Sequence, residues 1–315
     1  MFRFLIRRLL IAIPTMFLVV TLAFFMMRSA PGSPFVNERQ MTPEVQKVVE
    51  KKYGFDRPLI EQYGRYLADV VQGDFGPSLK YRNKTVVSIL AENFKVSLWL
   101  GLSAILLASV IGVSLGVLAA LRQNRSIDYV TMGIAILGVC IPTFVTAPLL
   151  VLAFGSILGW LPLAGWRWET VAGIEFPAWR NMVLPVTVLA LPQIAIISRL
   201  VRAGMIEVLR SNYVRTARSR GLPEWVVVRK HALRAAILPL VSYLGPACAG
   251  LLTGSLVVEK IFNLPGLGKF FVISALQRDY TVVMGMVIFY AALILVLNMI
   301  ADMLYAALDP RVRLA

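Results

Sequence analysis

Six long apolar runs constrain this chain more than any other feature. They cover approximately Leu5–Met27, Val96–Leu121, Tyr129–Leu158, Met182–Leu200, Ile237–Val258 and Val282–Leu308. Each approaches or exceeds the roughly 20 residues that an α-helix, rising about 1.5 Å per residue, needs to cross a bilayer. A backbone in lipid must satisfy its own hydrogen bonds, so such runs imply an all-α, polytopic integral membrane protein with six transmembrane helices. Composition agrees, with 58% hydrophobic and 16% charged residues, against about half and about a quarter in soluble domains. The first run follows Arg3, Arg7 and Arg8, as in a signal peptide, but Arg28 and Pro31 make a poor cleavage site. Residues 1–28 are therefore expected to stay as the first helix.

Charge orients the spans. The net charge of +15 gathers at the ends of the apolar runs and not in an aromatic-and-basic groove, so it points to topology and not to nucleic acid. Between Arg199 and Arg234, nine basic residues face only two acids, Glu207 and Glu224. With six spans, this stretch, the loop Arg122–Asp128 and both termini fall on one side, the cytoplasm. Residues 29–95 then form an extracytoplasmic loop. Residues 96–308 form a core of five transmembrane helices that includes a cytoplasmic loop at 200–236, and residues 309–315 form a cytoplasmic tail.

The basic loop has a fold of its own. Tyr213–Arg220 reads as a short helix, closed by Gly221 where a left-handed residue is needed and stopped by Pro223. A second helix, Glu224–Ala235, leads to Pro239. A helix–turn–helix at a membrane face suits the grip of a soluble partner.

The outer loop is patterned too. Pro43–Gly54 and Pro58–Gln72 read as helices, the second with Leu59, Tyr63, Tyr66, Leu67 and Val70 on one face. Thr85–Phe94 reads as an interfacial elbow before the second span. Gly73-Asp74-Phe75-Gly76-Pro77-Ser78 has the composition of a turn. After the fifth span, Glu259-Lys260-Ile261-Phe262-Asn263-Leu264-Pro265-Gly266-Leu267-Gly268 should resist a regular helix at Pro265, Gly266 and Gly268 and form a loop turning back toward the membrane.

Within the spans, Ala104, Ala108, Gly112, Gly116 and Ala120 recur every four residues, as do Pro246, Gly250 and Gly254. Such stripes let helices approach closely, either inside one chain or between subunits. Pro185, Pro192 and Pro239 are candidate kink or gating positions, because each removes a backbone donor. Asp302, one turn after Asn298, is read as facing water or a loop arginine. Cys140 and Cys248 are read as inert buried thiols. No nucleophile–base set, metal cluster or mid-membrane carboxylate pair supports an intramembrane enzyme or an ion-coupled secondary transporter. Pro265–Phe270 lacks the earlier Gly and the Ser/Thr of a phosphate loop, so no ATP hydrolysis is expected from this chain.

Arg215-Thr216-Ala217-Arg218-Ser219-Arg220-Gly221-Leu222 resembles the cytoplasmic coupling loop of ABC importer permeases, in the form typical of the peptide and nickel branch. It departs from the general Glu-Ala-Ala-x-x-x-Gly pattern at Arg215 and Thr216. Ala30-Pro31-Gly32-Ser33-Pro34-Phe35, the Gly73–Ser78 run, Glu259–Gly268 and Arg278-Asp279-Tyr280 are similar to further motifs of that branch. The resemblance implies the type I importer permease fold in a bacterial inner membrane. It implies a second homologous permease subunit, two cytoplasmic ATPase subunits and an extracytoplasmic peptide-binding protein as partners, besides membrane lipid and without nucleic acid. No cofactor is expected on this chain; ATP and Mg belong to partner subunits. It implies oligopeptides or dipeptides as cargo, with nickel, glutathione or murein peptides as alternatives. Carried over residue by residue, Arg215, Thr216, Ala217, Arg218, Gly221, Leu222 and Pro223 would couple to the ATPase, with Ala217 and Gly221 setting how closely the helix approaches it. Gly73, Asp74, Gly76, Glu259, Pro265, Gly266 and Gly268 would shape the external loops, the outer one receiving the binding protein.

Overall fold

The computed structural model describes residues 2–29, 54, 56–81, 83–171 and 173–308. The Ala30–Phe35 run, most of the helix expected from Pro43, and the tail from Asp309 lie outside the described residues. Helices dominate. Helix α1 spans Phe2–Ser29, α2 Leu59–Val71, α3 Val86–Leu121, α4 Ser126–Cys140 and α5 Thr143–Leu150, the last continuing as a wider π-helical stretch to Ile157. Strands β1 (Trp168–Val171) and β2 (Ile174–Pro177) follow, then α6 (Trp179–Leu209), α7 (Asn212–Ser219) and α8 (Glu224–Val226). A π-helical turn leads to α9 (Leu233–Ala236), α10 (Leu238–Gly254), α11 (Leu256–Ile261), α12 (Leu267–Leu276) and α13 (Tyr280–Leu308).

Five helical segments are long and apolar enough to cross a bilayer: within α1, α3, α6, α10 with α11, and α13. Helices α4 and α5 meet at a bend of 101° and supply a sixth if they count as one span. The break has a local cause. Pro142 donates no hydrogen bond and holds Ile141 extended, at φ −87° and ψ 115°.

The structure corrects four expectations. An antiparallel hairpin, with Trp168 opposite Pro177 and Val171 opposite Ile174, interrupts the all-helical plan. The elbow at Thr85–Phe94 is the first part of an unbroken α3, because Val86–Leu100 contains no Gly or Pro to end it. Gly268 lies inside α12, which starts just after Gly266, so the expected irregular loop is short. Cys140 is exposed, because α4 buries only Asp128, Thr131 and Ala135 within this chain.

The chain divides into two compact units, residues 1–95 with 266–295, and residues 96–265 with 296–315. In the first, Tyr63 and Tyr66 of α2 lie against Phe24 of α1 at ring separations of 5.4 and 5.6 Å. Tyr63 also hydrogen-bonds Thr21 at 2.7 Å. That is where part of the apolar face of α2 goes. Val86, Ile89, Leu90, Leu267, Val282 and Met286 form a separate buried cluster of this unit.

The second unit is built around α6. Eleven of its residues are buried, among them Leu184, Val188, Ile197, Val201 and Met205. The small stripe of α3 explains part of that fit. A Cβ on Gly116 would lie 2.7 Å from the Ser198 carbonyl oxygen, so only glycine lets the two backbones come so close. The stripe packs within the chain.

Candidate functional site

The basic segment folds as a hairpin of short helices that is part of the second unit's core. Val214 and Ala217 of α7 are buried with Val227, Ala232 and Ala236 from the returning limb of the hairpin. Gly221 makes the turn at φ +75°, a conformation costly to any residue with a Cβ. Pro223, at φ −63° and ψ 145°, then sets the entry into α8. Arg218 spans the turn, donating to Glu224 through Nη2 at 2.6 Å and Nε at 3.2 Å. Those bonds hold the Glu224 carboxyl below its ordinary pKa. A Cβ on Gly204 would lie 2.6 Å from the Ala236 carbonyl oxygen, so α6 and α9 are in backbone contact and the hairpin rides on the span.

Burial sorts the expected coupling residues into two faces. Arg215, Thr216, Arg218, Gly221, Leu222 and Pro223 are exposed. Ala217 is only 5% exposed, so its small side chain makes room for this chain's own hairpin. Among the expected coupling residues, it is the one that packs into the chain's own core. The exposed side instead carries Tyr213 and Trp225, the latter 64% exposed. Sequence reasoning passed over Trp225, although it stands two residues before buried Val227 and so on another side of that limb.

Three polar ties cross-link the second unit. Asp128, at the start of α4, is buried. It accepts from Arg202 Nε and Nη2, both at 2.6 Å, and from the Asn124 amide at 3.0 Å. Glu259, expected in an external loop, is wholly buried and accepts from Ser97 Oγ at 2.7 Å and Ser255 Oγ at 2.6 Å. Tyr243 of α10 donates to Gln193 Oε1 of α6 at 2.5 Å. These pairings escaped the sequence reading because nothing local marks them; the partners are 50 or more residues apart, except for Asn124 and Ser255.

Pro185 and Pro192 both sit inside α6, which continues past them. Pro239 differs, standing in the first turn of α10, where a missing N–H costs nothing. It is no mid-span kink.

Of the expected external residues, Gly73, Asp74, Gly76, Gly266 and Gly268 fall in the first unit, and Glu259 and Pro265 in the second. Asp74 Oδ1 accepts from the Gly76 amide at 2.8 Å, and Gly73 and Gly76 have positive φ. This turn delivers Ser78 to Asp279, which is buried and accepts its hydroxyl. Asp279 also takes the amides of Leu79 at 3.2 Å and Lys80 at 3.3 Å and the Thr281 hydroxyl at 3.0 Å. Two motifs about 200 residues apart thus form one anchor.

Such a chain, with apolar spans and a basic helical hairpin built onto one of them, has the organisation of a membrane transport subunit. Residues 112–314 match the family model described as the binding-protein-dependent transport system inner membrane component, and residues 1–96 match its N-terminal counterpart. The chain belongs to this family. It is 49% identical over 313 residues to the oligopeptide transport system permease protein OppB of Escherichia coli K12, covering 99% of this chain and 100% of that one. It is 43% identical to the dipeptide transport system permease protein DppB of Bacillus subtilis, covering 100% and 99%. Among solved structures, a chain of the MetNI methionine ABC transporter in inward-facing conformations aligns with TM-score 0.56 and 16% identity, covering 71% of this chain and 97% of that chain. At that identity the likeness concerns the fold.

Proposed function

We propose that this chain is the transmembrane permease subunit of an ATP-driven importer of oligopeptides or dipeptides in a bacterial inner membrane. The observation that carries this reading is its similarity, along practically the whole chain, to oligopeptide and dipeptide permeases. It favours a peptide importer over an ion-coupled secondary transporter. The chain supplies one half of the path, and a second homologous permease supplies the other. Two cytoplasmic ATPase subunits bind ATP and Mg and grip the hairpin through Tyr213, Arg215, Thr216, Leu222 and Trp225. A peptide-binding protein delivers cargo to the outer loop of residues 29–95.

Six crossings with both termini cytoplasmic is the topology proposed. Hydrogen bonds at both ends of α6 support it. The start of α4 is tied to Arg202, while Arg180 and Asn181, at the other end, hold the carbonyls of Trp160 at 2.7 Å and Gly165 at 3.0 Å. The bent pair therefore starts beside Arg202, about two turns short of the end of α6, and the loop after it reaches the start of α6, about 33 Å away at 1.5 Å per residue. That length matches a hydrocarbon core of about 30 Å.

The test is reconstitution of the chain with its partner subunits in vesicles. ATP-dependent uptake of labelled peptides, dependent on the external binding protein, is expected. Uptake of nickel or of an amino acid in place of peptides refutes the cargo.

A further inference from the structure

Gln193 lies near the middle of α6, 14 residues from Trp179 and 16 from Leu209, so about 20 Å of helix separates it from either end. Tyr243 fixes the carbonyl side of its amide. Among the described residues its Nε2 group has no hydrogen-bond partner, and the side chain is half-buried and not enclosed. Lipid offers nothing to such a donor, and an unmet amide in hydrocarbon costs several kcal/mol. Gln193 must therefore look onto something polar.

The two helices agree in what they expose. Helices α1 and α4 expose large apolar side chains such as Leu10, Phe17, Ile134 and Leu137, which suit contact with lipid. Among the described residues, α10 exposes no large apolar side chain and α6 only Trp179 at its end. The exposed positions of α10 include Ser242 and Pro246, on either side of Tyr243. A face without bulk beside an oriented carboxamide is suited to a solute that differs in side chains but repeats one backbone.

We propose that Gln193, oriented by Tyr243, lines the translocation path and hydrogen-bonds the backbone carbonyls of a passing extended peptide through Nε2. This rests on the reading of the chain as a peptide permease. A carboxamide is neutral and matches every peptide group alike, so it selects for backbone and not for sequence. Gln193 is the contacting residue, and Tyr243 is a positioning residue.

The test uses the complete transporter in vesicles, with Cys140→Ser and Cys248→Ser as background. In Gln193→Cys, the introduced thiol should react with a charged, membrane-impermeant methanethiosulfonate, and a transported pentapeptide should slow that reaction. Gln193→Leu should lower ATP-driven uptake of the pentapeptide roughly five- to tenfold, the worth of one hydrogen bond. Tyr243→Phe should raise the KM for peptide roughly threefold to fivefold without changing the maximal rate, a split that general misfolding does not produce. If the thiol of Gln193→Cys is modified only by a membrane-permeant maleimide, the position lies in lipid and the proposal is overturned. Cross-linking of that thiol to the second permease in every state would overturn it too, as would wild-type uptake by Gln193→Leu. A wild-type complex that imports no peptide overturns the peptide reading as well, whereas wild-type import with an unaffected Gln193→Leu overturns this inference alone.

Discussion

Val214 and Ala217 tie the basic hairpin to its own chain, so replacing them should act on stability before it acts on any partner. Ala217→Trp overpacks a filled site and is expected to cost about 1–3 kcal/mol, seen as a lower melting temperature of the purified chain. Trp225→Ala should leave melting unchanged. Loss of Trp225 as a hot-spot anchor of the interface should weaken association with the ATPase subunits by about 2 kcal/mol, measured by titration of the complex. Equal melting of both variants would refute this division of faces. The Arg218–Glu224 pair is a smaller matter, since its side chains are 42% and 55% exposed and such pairs contribute at most about 1 kcal/mol. Its sign is fixed, because Glu224 has a depressed pKa in the fold. The contribution is present above the ordinary carboxylate pKa of about 4.3 and fades as pH falls below it. The melting difference between the wild type and Glu224→Gln should therefore shrink between about pH 7 and about pH 3.

At the scale of elements, the long apolar runs were readable because each span's hydrophobic length is written locally. The turn at Gly221 and helix α2 were readable for the same reason. The register of contact between elements was not. Nothing near Asp128 announces Arg202, 74 residues on, and nothing near Asp279 announces Ser78. The extent of α6 was underestimated because Arg199 and Arg202 look like the end of a span. A long arginine keeps the helix going by reaching a buried acid on the neighbouring helix. Asp279 makes an element-scale prediction. Asp279→Ala should speed amide hydrogen exchange at Leu79 and Lys80, whose amides it accepts, while exchange along α6 stays unchanged. Faster exchange in both regions would mean that the anchor supports the whole molecule.

At the scale of the molecule, orientation can be tested with cysteines in a background lacking Cys140 and Cys248. Ser78 is a poor reporter because it is buried against Asp279; exposed Gln72 is a better one. In intact cells Gln72→Cys should react with an impermeant thiol reagent and Ser219→Cys should not. The reverse pattern would put the basic hairpin outside.

The 101° bend between α4 and α5 has a consequence for how the chain is made. Ser126–Cys140 and Thr143–Ile157 are 15 residues each, or about 22 Å of helix apiece, too short for a hydrocarbon core of about 30 Å. Neither half alone has the length to span the bilayer. For the pair to insert as one span, synthesis must pass Ile157, and its charged start, Asp128, can meet Arg202 only after α6 has been made. Counted as one span, the pair is expected to settle in the membrane late, once α6 has been made and can supply Arg202.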